Sequence, residues 1–267
     1  MNKTLEGKVA VVTGSSRGIG KALAHGLALK GARVVINGRN EARLLETRQA
    51  LREKGFDAVA VAGDVSVFED CRKLVDETLK AYGRLDILIN NAGLSLEGEV
   101  EHADPDAARR IIEVNILGCV YPTQAAIPHL KKTGGSVLFI SSLAGIYGLP
   151  NFSMYSASKM ALTALAQSLK IELGGTGVHV GIAYVGFTEN EPGKMVYNTD
   201  GSLVALPKRE NVKVEPVGKA ARRIIRMAEK RIYRSTFSSL GLLLSAINRI
   251  SPSLVGMILS MSYKKRQ

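Results

Sequence analysis

Tyr155 and Lys159 stand one helical turn apart in Tyr155-Ser156-Ala157-Ser158-Lys159, a spacing that brings both side chains to one face of a helix. A phenol with a reference pKa of about 10 is a poor acid or base near neutrality. An ammonium beside it favours the phenolate and lowers that pKa, so the pair can exchange a proton with a carbonyl or alcohol oxygen. Alone the pair says little, because tyrosine and lysine meet at this spacing on many helix surfaces. Ser141-Ser142 closes the preceding apolar run, and one hydroxyl can hold the substrate oxygen beside the phenol. Asn115, polar in the apolar stretch Val114-Asn115-Ile116, either holds a water that relays protons to Lys159 or serves to distort its helix.

A second group suits a phosphate. Gly14, Gly18 and Gly20 follow the β-branched run Lys8–Thr13 and precede an Ala- and Leu-rich helical segment. Glycines there let backbone N–H groups and a helix N-terminus approach a pyrophosphate. The G-K-[ST] ending of a nucleoside triphosphatase loop is missing, which argues against phosphoryl transfer. The end of the second strand distinguishes nicotinamide dinucleotides, since a carboxylate suits the free ribose hydroxyl of NAD(H) and cations suit the 2′-phosphate of NADP(H). Asn37-Gly38-Arg39-Asn40 carries no carboxylate. Arg17 and Arg39 can clamp a phosphate between them, so NADP(H) is expected over NAD(H). Asp64-Val65 and Asn90-Asn91-Ala92-Gly93 follow the third and fourth strands; the two amides fix loops or pass close to a flat ligand.

These residues need a scaffold that delivers them to one edge. Short apolar runs at Lys8–Thr13, Arg33–Asn37, Asp57–Ala62, Asp86–Ile89, Ser136–Ser141 and Val178–Ala183 alternate with helical segments. That alternation predicts βαβ units and an α/β, doubly wound parallel sheet. Helices are predicted over Lys21–Lys30, Glu41–Lys54, Pro105–Val114, Leu117–Leu130 and Ser153–Leu173, and Ser66-Val67-Phe68-Glu69 has capping-box spacing for another reaching Tyr82. Residues 184–215 read as a loop or short helices beyond a strand's carboxyl end, where a lid can sit.

The 267 residues, 46% of them hydrophobic, suffice for one large core. Cys71 and Cys119 are the only cysteines, which disfavours a disulfide scaffold or thiolate zinc site and points to a reducing, cytoplasmic compartment. The four histidines lack ligand spacing, and no metal site is expected. The amino-terminal residues lack the apolar core of a signal peptide. Of the net charge of +12, residues 208–267 carry +11. A helix is predicted from Val217 to Lys230 and an edge strand near Ile232–Phe237. Apolar stripes Leu240, Leu243, Leu244, Ile247 and Leu254, Val255, Ile258, Leu259 then mark a helical extension, residues 237–267, beyond a domain of residues 1–236. The extension packs on the domain or a sister subunit, lies peripherally on a membrane surface, or covers substrate entry. It has no nucleic-acid recognition motif.

In this order the motifs resemble the short-chain dehydrogenase/reductase family over roughly residues 5–235. The resemblance rests on Thr13-Gly14-Ser15-Ser16-Arg17-Gly18-Ile19-Gly20, Asn90-Asn91-Ala92-Gly93, Asn115, Ser142, and Tyr155 with Lys159. It implies a single Rossmann-type domain of about seven parallel strands and a catalytic tetrad of Asn115, Ser142, Tyr155 and Lys159. It also implies hydride transfer between a nicotinamide and a carbonyl carbon, and a homodimer or homotetramer. Cofactor contacts are implied at Gly14, Ser16, Arg17, Gly18, Ile19, Gly20, Arg39, Asp64, Val65, Asn91, Ala92, Gly93, Tyr155, Lys159, Gly186 and Thr188. Val185 stands where the family usually has proline. The chain end lacks the Gly-Gly-containing last strand of the bacterial 3-oxoacyl reductases, and it is closer to the branch acting on steroids and lipid ketones. A 3-oxoacyl reductase-like enzyme and a catalytically silent NADP(H)-binding scaffold or sensor are the alternatives.

Overall fold

The computed structural model describes residues 3–189, 195–206 and 214–264. Seven strands form one parallel sheet: β1 (Val9–Val12), β2 (Arg33–Gly38), β3 (Ala58–Ala62), β4 (Ile87–Asn90), β5 (Ser136–Ser142), β6 (His179–Val185) and, at the edge, β9 (Arg234–Thr236). Their order is β3-β2-β1-β4-β5-β6-β9. The chain reverses its winding between β1 and β4, whose carboxyl ends carry Thr13-Gly14 and Asn90-Asn91. Such a switch point opens a crevice for a ligand.

The strands are apolar on both sides because both faces are covered. Ala10, Val12, Val34, Ile36, Leu138 and Ile140 face α1 (Gly18–Leu29), α2 (Glu41–Arg52) and α7 (Val217–Lys230). Their neighbours Val11, Val35, Val137 and Phe139 face α3 (Phe68–Tyr82), α5 (Gly118–Thr133) and α6 (Ser153–Glu172). The period-two alternation of a strand thus builds two cores.

Three expectations need correction. Ser66 does not cap α3: Val67 takes that position without a side-chain hydrogen bond, and the Ser66 hydroxyl donates instead to Asp64. A carboxylate two residues away outcompetes the helix N–H groups. The two helices predicted on either side of Asn115 are one run: α4 (Pro105–Ile112) continues into a π turn, Glu113–Leu117, and then α5. Within residues 184–215 the described part holds a hairpin rather than helices, β7 (Met195–Tyr197) paired with β8 (Leu203–Ala205); Glu191-Pro192-Gly193 and Pro207 lie outside the described residues. The hairpin is tied to the β4 loop, where Glu97 N–H donates to Tyr197 O and Tyr197 N–H to Ser95 O.

The extension beyond β9 is helical. It forms α8 (Ser239–Ile250), whose N-cap Ser238 accepts from Gly241 N–H, and α9 (Pro252–Lys264). Contacts to the domain include Leu244, Asn248 Nδ2 donating to Ile146 O at 3.1 Å, the close approach of Gly256 to Tyr147, and Tyr263 donating to Glu99. Leu240, Leu243, Leu254 and Ile258, members of the two apolar stripes, are exposed.

Candidate active site

Lys159 is 5% exposed although it is a lysine. Its Nζ donates to Ile140 O at 3.1 Å and lies 5.7 Å from the centre of the Tyr155 ring. Among the described residues no carboxylate forms an ion pair with it. A cation this deep without a counter-ion is costly, so the fold keeps it for something other than stability. Tyr155, on the same face of α6, is only partly buried.

Asn115 reaches the same spot from the π turn and is fully buried. Its side chain clamps the β4 loop, with Oδ1 accepting from Leu94 N–H at 2.7 Å and Nδ2 donating to Leu94 O at 2.9 Å. Nδ2 also donates to Ser158 Oγ at 2.9 Å, and Ser158 donates in turn to Tyr155 O at 2.7 Å. These bonds tie the β4 loop to α6 through the Asn115 amide. A Cβ on Gly93 would lie 3.3 Å from both Asn115 Oδ1 and Lys159 Nζ, so β4, π turn and α6 converge there.

The two serines separate by strand alternation. Ser141 is buried and donates to Lys159 O at 3.1 Å. Ser142 is partly exposed at the carboxyl end of β5, and its Oγ accepts from Ala144 N–H at 3.3 Å. Ser142 is therefore the one that can meet a ligand. Nearby Cys119 is buried, and desolvation pushes its thiol up to about 11 against the opposing charge of Lys159; it stays a neutral wall.

The glycine loop closes over β1. Gly14, at φ +62°, has no room for a side chain, since its Cβ would meet Ala92 Cα at 2.8 Å. Asn91 Nδ2 donates to Thr13 O and Gly14 O, while Asn91 and Ala92 N–H groups donate to Thr13 Oγ1 at 3.0 and 3.1 Å. Thr13 and Ser158 are the supports that motif reading missed, although both lie inside the quoted motifs, one before the first glycine and one between the tyrosine and the lysine. Ile19 packs on the core, and Arg17 precedes α1, whose first turn carries no acid.

At the outer corner a Cβ on Gly38 would stand 3.2 Å from Ser16 Oγ. Arg39 is half-exposed, with Nη1 3.9 Å from Asp64 Oδ2. Asp64 is engaged elsewhere: burial would raise its pKa, but hydrogen bonds from Ser66 and Arg110 outweigh that and hold the carboxyl below its usual range. Val65 is buried with Cys71 and Val114, leaving its backbone to a ligand. On the far side Val185 pairs with Ser142, Gly186 passes Ser238, and Thr188 bridges to Glu215.

The model of the short chain dehydrogenase family matches residues 8–200. The chain belongs to that family. Short-chain dehydrogenases similar to it include 11-beta-hydroxysteroid dehydrogenase 1A of Arabidopsis thaliana, 38% identical over 80% of this chain and 62% of that protein. This chain thus spans less than two thirds of that relative. An 11-beta-hydroxysteroid dehydrogenase-like 4A of the same plant is 38% identical over 84% of this chain and 74% of the relative. An uncharacterized oxidoreductase of Methylorubrum extorquens is 40% identical over 70% and 75%. A short-chain dehydrogenase/reductase from Burkholderia phymatum, solved with NAD, shares the fold at TM-score 0.83 and 22% identity, covering 94% of this chain and 96% of that one. An alcohol dehydrogenase from Thermococcus sibiricus, solved with 5-hydroxy-NADP, gives 0.73 at 26% identity over 88% and 97%.

The crevice fits the family's dinucleotide on its own geometry. At Gly14 and Gly20 the loop packs too closely on Ala92 and Asn91 for any side chain, which keeps its backbone bare beside a helix end that favours anions.

Proposed function

We propose that this protein is an NADP(H)-dependent oxidoreductase that interconverts a ketone and a secondary alcohol on a hydrophobic, steroid- or lipid-like substrate. The observation that carries the reading is the buried, carboxylate-free Lys159 beside Tyr155. The names of the relatives support a steroid-like substrate. The absence of a carboxylate in Asn37-Gly38-Arg39-Asn40 at the end of β2, with Arg39 half-exposed there and Arg17 at the start of α1, supports the phosphorylated cofactor.

Gly14, Ser16, Arg17, Gly18, Ile19 and Gly20 would hold the phosphates, Arg39 the 2′-phosphate, Asn91, Ala92 and Gly93 the middle of the dinucleotide, and Lys159, Gly186 and Thr188 its nicotinamide end. When bound, the dinucleotide supplies or accepts a hydride at the carbonyl carbon. Ser142 holds the substrate oxygen by a hydrogen bond. The Tyr155 hydroxyl gives that oxygen a proton in reduction and takes one in oxidation. Lys159 stabilises the phenolate left behind, and Asn115 holds the β4 loop and α6 in register for it. The buried, reduced Cys71 and Cys119 suit a cytoplasmic site of action, and a homodimer or homotetramer is the assembly proposed from family membership.

Tyr155→Phe tests the reading. Turnover of a ketone should fall by about 10²–10⁴-fold, the usual worth of a positioned acid–base group, while NADPH binding is unchanged. Parent-like turnover in that variant would remove Tyr155 from the reaction. A parallel comparison of NADPH and NADH affinities in the parent and in Arg39→Asp checks the cofactor: the parent should prefer NADPH by about tenfold or more, and the variant should lose that preference.

A further inference from the structure

We propose that the C-terminal helix pair docks this protein on the surface of an anionic phospholipid bilayer. The inference stands apart from the reaction.

Helices α8 and α9 each turn an apolar stripe to solvent. On α8 it comprises Leu240, Leu243 and Ile250, the last 85% exposed, with half-buried Ile247 in the same row. On α9 it comprises Leu254, Met257, Ile258 and Met261, all more than 40% exposed. The spacing of three and four residues makes each row continuous along its helix. Other positions, Gly241, Leu244 and Asn248 on α8 and Gly256 and Tyr263 on α9, hold the pair to the domain. The extension is thus anchored on one side and uncovered on the other.

Charge identifies the occupant. Residues 230–267 contain seven lysines and arginines and no aspartate or glutamate. A second copy of the chain, meeting this face through a twofold axis, would set the same basic segment against itself, and the segment brings no carboxylate of its own. An anionic bilayer supplies the missing charge and accepts the apolar rows below its headgroups. At about 1.5 Å per residue, helices of 12 and 13 residues reach roughly 20 Å, short of the ~30 Å hydrocarbon thickness. They must lie in the interface plane, and no helix among the described residues is long and apolar enough to cross a membrane.

A headgroup site adjoins the stripe. Between α6 and α8 a cavity of about 460 Å³ is lined by Arg234, Arg249, Gln167, Asn248 and Ser245, and by no carboxylate. Arg249 is the neighbour of Ile250, so it stands on the border between the cationic cavity and the apolar row.

The test is co-sedimentation of the full chain, saturated with NADPH, with vesicles of phosphatidylcholine alone or mixed with phosphatidylglycerol. The protein should sediment with the mixed vesicles and not with the neutral ones. Raising salt from about 0.1 to 1 M, which shortens screening from roughly 10 to 3 Å, should release it. Leu243→Glu/Ile250→Glu and, separately, Arg249→Glu should each weaken binding about tenfold or more, with NADPH affinity and thermal midpoint unchanged to show an intact fold. Absence of binding by the parent, or equal binding by the intact variants, overturns the proposal. So does a parent that ignores vesicles and self-associates through this face, which light scattering would reveal as an oligomer broken by Leu243→Glu/Ile250→Glu.

Discussion

Adjacent serines at the end of β5 do different work because a strand turns successive side chains to opposite faces. Ser142 should behave as a donor to the reacting oxygen, so Ser142→Ala is expected to lower kcat by about 10²-fold, the lower end for one such donor, with little change in melting temperature. Ser141→Ala removes the hydrogen bond to Lys159 O and should cost about 1 kcal/mol of stability while leaving kcat within a few-fold. Measuring both quantities on both variants separates the roles; a large kcat loss confined to Ser141→Ala would reverse them. Tyr155, Lys159, Asn115 and the glycines were readable in the sequence because their chemistry lies in residue type and spacing. The clamp that Asn115 makes on Leu94 and Ser158 was not, since it joins residues from β4, the π turn and α6 that are remote along the chain. Nor was the diversion of Asp64 toward Arg110, a helix away in sequence.

Elements with a strong period were easy to place, and their boundaries came out close: the sheet strands and α6 follow runs whose pattern has one solution. The places where reading failed are those where a local signal met a stronger tertiary one. Asn115 breaks an apolar helical row, which reads as a helix end; packing of Asn115 against Leu94 instead carries the chain through a π turn into α5. The glycine loop is the opposite case, where local geometry and packing agree. A methyl on Gly20 would stand 2.3 Å from Gly14 O and 2.5 Å from Asn91 Nδ2. The first is backbone, so the contact cannot be relieved by a rotamer change. Gly20→Ala should therefore cost about 1–3 kcal/mol by overpacking and push the loop off its cradle, so that NADPH affinity falls more than that of any substrate bound at Ser142. Calorimetry with NADPH and a thermal melt of the same variant check this, and parent-like affinity would show that the loop does not hold the dinucleotide.

At the scale of the whole molecule, charge and burial set how stability responds to pH. His179 opens β6 and is buried with Nε2 unpartnered. Desolvation, with Arg231 and Lys170 nearby, lowers its pKa to about 4, against roughly 6.5 in an unfolded chain. Between those values the unfolded state binds the extra proton, so stability rises with pH there and is lost as the solution is acidified from about pH 6.5 toward 4. Partial hydration of the ring limits the loss to about 1–2 kcal/mol. Asp86 works in a lower window. Burial raises its pKa, but Arg84, the Val9 N–H and Lys8 outweigh that and hold it below the usual range; its contribution is present above about pH 4 and disappears as the pH falls further. The two windows can be told apart with one substitution. His179→Asn keeps a neutral polar side chain and removes that titration, so urea midpoints of the variant should decline clearly less than those of the parent between pH 6.5 and 4.5. Both proteins should then unfold together below about pH 4 as Asp86 takes up its proton. A parent-like decline in the variant would place the proton uptake elsewhere, and His25, a partly exposed histidine lowered by burial and Lys54, is the next group to replace.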